Sequence, residues 1–164
     1  MNLWPGSPSG RGSHDSPWNS DEILREELFS VERLEQHARS LAAAQEITRR
    51  FANLNLQRDL GRLHINISGC INACGHHHVG HIGILGVEKN GEEFYQITIG
   101  GKADENAALG ALVGPAVPYA QVADVVEDIA AAYIELRQRP EELFIDTVKR
   151  IGVEPFRERV YAAR

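Results

Sequence analysis

Cysteine is scarce in this chain of 164 residues: there are two, Cys70 and Cys74. A disulfide-stapled secreted domain normally carries more, so that class is excluded, and the pair reads first as thiols or metal ligands. Long apolar runs are also missing. None approaches the ~18 residues that suggest a membrane span. The opening stretch MNLWPGSPSGRGSHDSPWNS lacks the charged start and apolar core of a secretory signal. A cytoplasmic protein is therefore expected, with no membrane partner. There is no basic stripe either. Arg25, Arg33, Arg39, Arg49, Arg50, Arg58 and Arg62 are scattered among acids, and the net charge is −6. Nucleic-acid binding has no support in such a distribution.

What remains is a globular balance, 43% hydrophobic and 24% charged, in a chain long enough for one compact domain. Residues 1–19 are rich in Gly, Ser and Pro and read as a disordered N-terminal segment. Residues 20–37 read as a helical segment of unrecognised origin. Its start is near Asn19, with an untidy apolar pattern over 21–36: Ile23, Leu24, Leu28, Phe29, Val31 and Leu34. Over 38–55 the helical spacing is cleaner, through Leu41, Ala44, Ile47, Phe51 and Leu54.

The segment 62–68 alternates strictly: Leu63, Ile65 and Ile67 on one face, His64, Asn66 and Ser68 on the other. That pattern predicts a strand. It runs into GCINACGHHH, expected as a Gly turn and a short helical turn that carries both cysteines. A hairpin is expected next, with 81–88 and 93–99 flanking Asn90-Gly91, two residues that tolerate positive φ. Residues 100–117 read as loop with one helical turn at most. Two further helices follow, one marked by Val122, Val125, Val126, Ile129, Tyr133 and Leu136. The second has an inner face of Leu143, Phe144, Thr147 and Val148, with Pro140 between the two and Gly152 as C-cap. Pro155 opens a last short helix with Phe156 and Val160. The fold class is α+β, a small antiparallel or mixed sheet with flanking helices.

The chemistry is concentrated in residues 68–81. Thiolate suits iron–sulfur clusters, zinc and copper(I). Four-residue spacing on a helical turn puts Cys70 and Cys74 on one side, and Gly69 and Gly75 let the backbone approach a bulky inorganic group. On spacing alone, two small buried hydrophobes explain the pair equally well. His76, His77, His78 and His81 raise a zinc alternative, but they crowd one short segment, and polar loop residues are the simpler account. His64, on a strand face, reads as a packing residue.

Taken in order, the motifs are more specific. Ser68-Gly69-Cys70-Ile71-Asn72-Ala73-Cys74-Gly75 is followed by His81-Ile82-Gly83-Ile84-Leu85-Gly86, Asn90-Gly91-Glu92 and Tyr95-Gln96-Ile97-Thr98-Ile99-Gly100-Gly101. Gly110, Gly114-Pro115, Val117-Pro118, Phe144-Ile145-Asp146-Thr147 and Gly152-Val153-Glu154-Pro155-Phe156 continue the series. This order resembles the C-terminal part of the sirohaem- and [4Fe–4S]-dependent nitrite and sulfite reductases, over 38–164. The resemblance implies an oxidoreductase domain in which Cys70 and Cys74 are cluster ligands. It implies that Cys74 also bridges to the sirohaem iron, giving electrons a short covalent path. The family's reaction is the six-electron reduction of sulfite or nitrite, fed by an electron-donor protein or flavoprotein subunit.

Two departures stand out. The first cysteine pair of the family is missing: its place, around residues 27–33, reads Glu27-Leu28-Phe29-Ser30-Val31-Glu32-Arg33. The N-terminal half, which supplies most of the basic residues for substrate and haem carboxylates, is not represented. The chain therefore reads as an N-terminally truncated or rearranged fragment, with no residue assigned as catalytic and no turnover expected from it alone. The alternatives are a dimeric [4Fe–4S] electron carrier, a zinc-stabilised interaction domain and an inactive remnant.

Overall fold

A computed structural model describes residues 29–34 and 38–162. The disorder expected for 1–19 and the helix start expected near Asn19 lie outside these residues. Within them, six strands and five α-helices form one mixed sheet with a helical layer.

The strands are β1 (Phe29–Leu34), β2 (Leu63–Ser68), β3 (Ile82–Lys89), β4 (Glu92–Ile99), β5 (Ala111–Leu112) and β6 (Val117–Pro118). The helices are α1 (Ala38–Arg50), α2 (Leu54–Leu60), α3 (Val122–Leu136), α4 (Phe144–Ile151) and α5 (Glu154–Tyr161). Sheet order is β1-β2-β3-β4-β5, with β6 also on β4. β1 and β3 both pair parallel to β2, and β3 pairs antiparallel to β4.

Strand β1 corrects the helical expectation for 21–36 where the two overlap. Phe29–Leu34 pairs residue by residue with Leu63–Ser68. Phe-Ser-Val-Glu alternates at period two, and a ready-made parallel edge on β2 satisfies its backbone, which outweighs weak helical spacing. The helix expected over 38–55 breaks at Ala52-Asn53. Asn53 caps α2, its side chain accepting from the Asn55 and Leu56 amides, and Leu54 is exposed.

The hairpin stands as expected. Asn90 and Gly91 both have positive φ, 56° and 79°, the geometry that matches the twist of two antiparallel strands. Residues 100–117 contain no helical turn but the strands β5 and β6; the one-turn helix comes later, at Tyr119–Gln121. Pro140 sits in the α3–α4 connection, outside both helices, and Leu143 is half exposed, leaving Phe144, Thr147 and Val148 as the buried face of α4. Gly152 caps α4 at φ 77°, and Pro155 lies in the first turn of α5.

The core lies between the inner sheet face and the helices. Leu63, Ile65, Ile67, Ile82, Ile84, Tyr95, Ile97 and Ile99 meet Ile47 and Phe51 of α1, the α3 stripe, Phe144 and Phe156. Each such aliphatic or aromatic side chain contributes about 1.5–3 kcal/mol on burial. Phe144 sits edge-on between Tyr133 and Phe156, with ring centroids 5.4 and 5.8 Å away. Arg50 ties α1 to α3 through Asp124 and Glu127, both at 2.6 Å.

Candidate functional site

β2 does not have a wet face. Asn66 and Ser68, on the face opposite Leu63, Ile65 and Ile67, are buried beneath the segment 69–81. The Asn66 side-chain amide donates to the His76 carbonyl at 3.4 Å, and the Ser68 hydroxyl meets the His77 ring at 3.1 Å. The polar residues of the strand thus serve as anchors for the cysteine segment, which folds back across the end of the sheet.

That segment is not the helical turn the spacing suggests. It is two tight turns in succession, closed by Ala73 N–H to Cys70 O at 3.0 Å and His76 N–H to Ala73 O at 2.8 Å. Ala73 and His76 both adopt left-handed φ, 55° and 48°, a region where non-glycine residues are uncommon. Only at His77–Val79 does one 3₁₀ turn form. Gly75 has a purpose different from the expected one. A Cβ there would stand 2.1 Å from the Ile67 carbonyl oxygen, so the residue lets the segment close onto β2.

Both cysteines are half-buried, and neither is in a disulfide. The Cys74 thiol makes a long contact of 3.9 Å to the Asn72 carbonyl. Cys70 opens on a cavity of about 640 Å³. At the cysteine end its wall is Gly69, Cys70, Ile71, Gly86 and Val87; toward the hairpin tip it is Glu88, Gly91 and Glu93. Between the thiols, Ile71 is 86% exposed, the most exposed large apolar side chain among the described residues. Nothing in the sequence marked its exposure. The cavity was equally hidden, because β3 and the cysteine segment form it only when folded.

The histidines divide by function. His81 accepts the His64 backbone N–H on Nδ1 at 3.3 Å and packs edge-on against the His64 ring. Burial, helped by His64, pushes its pKa down to about 4, so it is a neutral acceptor near pH 7. Burial likewise pushes His77 down, with His78 adding to the effect. These are packing groups, as His64 was expected to be. Among the described residues no three His, Cys, Asp or Glu side chains converge as a metal site. The zinc alternative therefore has its two thiols but no imidazoles directed at them.

The class these features define is an α+β domain whose only thiols lie on a glycine-pinned crossover between two parallel strands. Its sequence matches the profile of the nitrite and sulphite reductase 4Fe-4S domain over residues 32–164. The chain belongs to that family. Among solved structures it is similar to the NirA protein of Mycobacterium tuberculosis, with a TM-score of 0.60 and 21% identity. That match covers 79% of this chain and 26% of NirA, so the chain spans about a quarter of the length of that protein. Among curated proteins none matches it. No helix among the described residues is long and apolar enough to cross a membrane.

The cofactors of such a domain can be tested against these residues. A [4Fe–4S] cluster takes four thiolates. The whole sequence holds two cysteines, both on one segment, of which Cys70 lines the cavity, so at most half of the thiolates are present. Sirohaem is rich in carboxylates, and the cavity wall offers Glu88 and Glu93 and no cation. The haem carboxylates are not matched by the charges of this cavity.

Proposed function

We propose that the chain is an iron–sulfur module of the nitrite and sulfite reductase kind, in which Cys70 and Cys74 supply two thiolates of a [4Fe–4S] cluster. The observation that supports this is that both cysteines sit on one anchored segment within the matched 4Fe-4S domain. Both lie on two linked tight turns pinned to β2 and β3, and Cys70 lines a cavity. A cluster bound there would supply one-electron redox chemistry. The chain's own contribution is to present two thiols on a segment anchored to β2 and β3. Backbone N–H groups of the turns suit the sulfur-directed hydrogen bonds that tune a cluster.

In a complete assembly the module would serve the reduction of sulfite or nitrite, fed by an electron-donor protein or flavoprotein subunit, in the cytoplasm. Cys74 is then the candidate bridge to sirohaem. The cations for the haem and the substrate anion must come from outside the cavity described. The test is anaerobic incubation of the purified chain with iron and sulfide, followed by iron and sulfide analysis and absorption and electron paramagnetic resonance spectra. A reducible cubane signal that Cys70→Ser and Cys74→Ser each abolish is expected. Protein that takes up zinc and no iron–sulfur cluster would overturn the proposal.

A further inference from the structure

Glu88 and Glu93 stand directly opposite each other across the β3–β4 hairpin. Adjacent residues on a strand point to opposite faces. The register therefore puts Glu88 with Glu93 on one face and Lys89 with Glu92 on the other. Opposite charges across a ladder stabilise it and like charges weaken it, so the strands are matched on one face and mismatched on the other. The mismatched pair lines the cavity; Lys89 and Glu92 do not. We infer that this cavity is a docking groove for a cationic segment of a partner protein. An Arg or Lys side chain is received between Glu88 and Glu93, and an apolar side chain is laid against Ile71.

Three features support that occupant. The first is the uncompensated charge, since local rules of pairing are broken where function requires it. Glu88 is exposed, and no cation lines the cavity beside it. Glu93 is half-buried, and its carboxylate accepts the hydroxyl of the buried Tyr95, which holds it in place. The second is Ile71, which lines the same cavity from the cysteine end and is 86% exposed. A partner's apolar side chain laid there removes that surface from water. The third is size. A cavity of about 640 Å³ lies in the range of sites that enclose a drug-sized ligand, which is the scale of a few side chains.

Charge also decides among occupants. Each chain has a net charge of −6, and a two-fold contact between copies here would bring both pairs of carboxylates together. Arg49, Arg50, Arg137, Arg150, Arg157 and Arg159 are engaged in ion pairs of their own. Nucleic acid and anionic lipid are repelled by the same carboxylates. A bare metal ion would leave Ile71 unused, and among the described residues no third His, Cys, Asp or Glu converges with the two glutamates to hold it. A cationic polypeptide satisfies both ends of the groove. It needs no thiolate, so the inference stands independently of the iron–sulfur reading.

The experiment titrates the full, isotope-labelled chain with the acetylated and amidated peptide Leu-Arg-Gly-Arg-Leu and follows amide chemical shifts by nuclear magnetic resonance. Saturable shifts centred on residues 69–71 and 86–93 are expected, weakening as salt is raised, with none from Leu-Glu-Gly-Glu-Leu. Glu88→Gln should weaken binding several-fold and leave the melting temperature equal or higher, because it relieves the repulsion with Glu93. Ile71→Ser should weaken binding several-fold at unchanged melting temperature. Glu92→Gln removes the same charge from the other face and should leave binding unchanged. Equal losses in Glu88→Gln and Glu92→Gln would show attraction by net charge alone and overturn the groove. Magnesium or spermidine reproducing the peptide's shifts would replace the polypeptide with a small cation. A dimer of the free chain that Glu88→Gln dissociates would replace it with a second copy. Shifts centred elsewhere, or none, would also overturn the inference.

Discussion

Gly86 on β3 lies directly against Gly69, the residue before Cys70: a Cβ on Gly86 would stand 2.5 Å from the Gly69 carbonyl oxygen. Real Cβ atoms do not approach backbone so closely, so Gly86→Ala must push the cysteine segment off the strand. Overpacking of this kind costs about 1–3 kcal/mol, or about 3–10 °C in melting temperature for a domain of this size. Thermal unfolding followed by circular dichroism checks it. An unchanged melting temperature would mean that the segment does not rest on β3.

The hairpin turn makes a separate claim on stability. Gly91 sits at φ 79° with open space around the position of a Cβ, so packing does not oppose a side chain there but backbone strain does. Gly91→Val should cost about 1–2 kcal/mol, read from urea unfolding, with the strand register unchanged.

Acid should weaken the domain before its carboxylates titrate. His81 is held at about 4 by burial, against an ordinary 6.5. Between those values the unfolded chain binds a proton that the folded chain resists. Stability is therefore complete above pH 6.5 and is lost as pH falls toward 4. His77, also displaced downward by burial, adds in the same direction. The His81 share is on the order of 2 kcal/mol after allowing for partial exposure. His81→Gln should flatten the pH 4–6.5 slope in urea unfolding, and a slope unchanged by that substitution would show that other groups cause it.

The isolated chain of 164 residues is expected not to reduce sulfite or nitrite. Its cavity offers two carboxylates and no cation to an anionic substrate, and stabilising developing charge is usually the largest catalytic contribution. The assay is protein reconstituted with iron, sulfide and sirohaem, given a strong chemical reductant. Steady sulfide or ammonia production that vanishes in Cys74→Ser would contradict this.

The elements legible in the sequence are those whose signal is local. Asn90-Gly91 with alternating flanks specifies its own hairpin, and the α3 stripe repeats often enough to fix a helix. β1 was not legible because its backbone partners are on β2, some thirty residues away. The buried side of Asn66 and Ser68 was hidden for a related reason: what covers them is the folded cysteine segment. That Cys70 and Cys74 share a short segment could be read from spacing. That they sit on two turns with left-handed Ala73 and His76 could not, since alanine does not signal positive φ and a histidine among four in one segment signals it only weakly. The cluster deficit, by contrast, was legible without any structure, because it is a count.

Parallel neighbours are usually joined by a helical crossover of a dozen or more residues. Between β2 and β3 the crossover is residues 69–81, the cysteine segment itself. Thirteen residues must find a single path before Ile65 can register with Ile82, and the search is an entropic cost that falls on folding. A metal that grips Cys70 and Cys74 fixes five of those thirteen residues in advance. If the two thiols take iron as proposed, metal loading during synthesis would hasten the pairing of the two strands, and iron supply would then set how fast this domain matures.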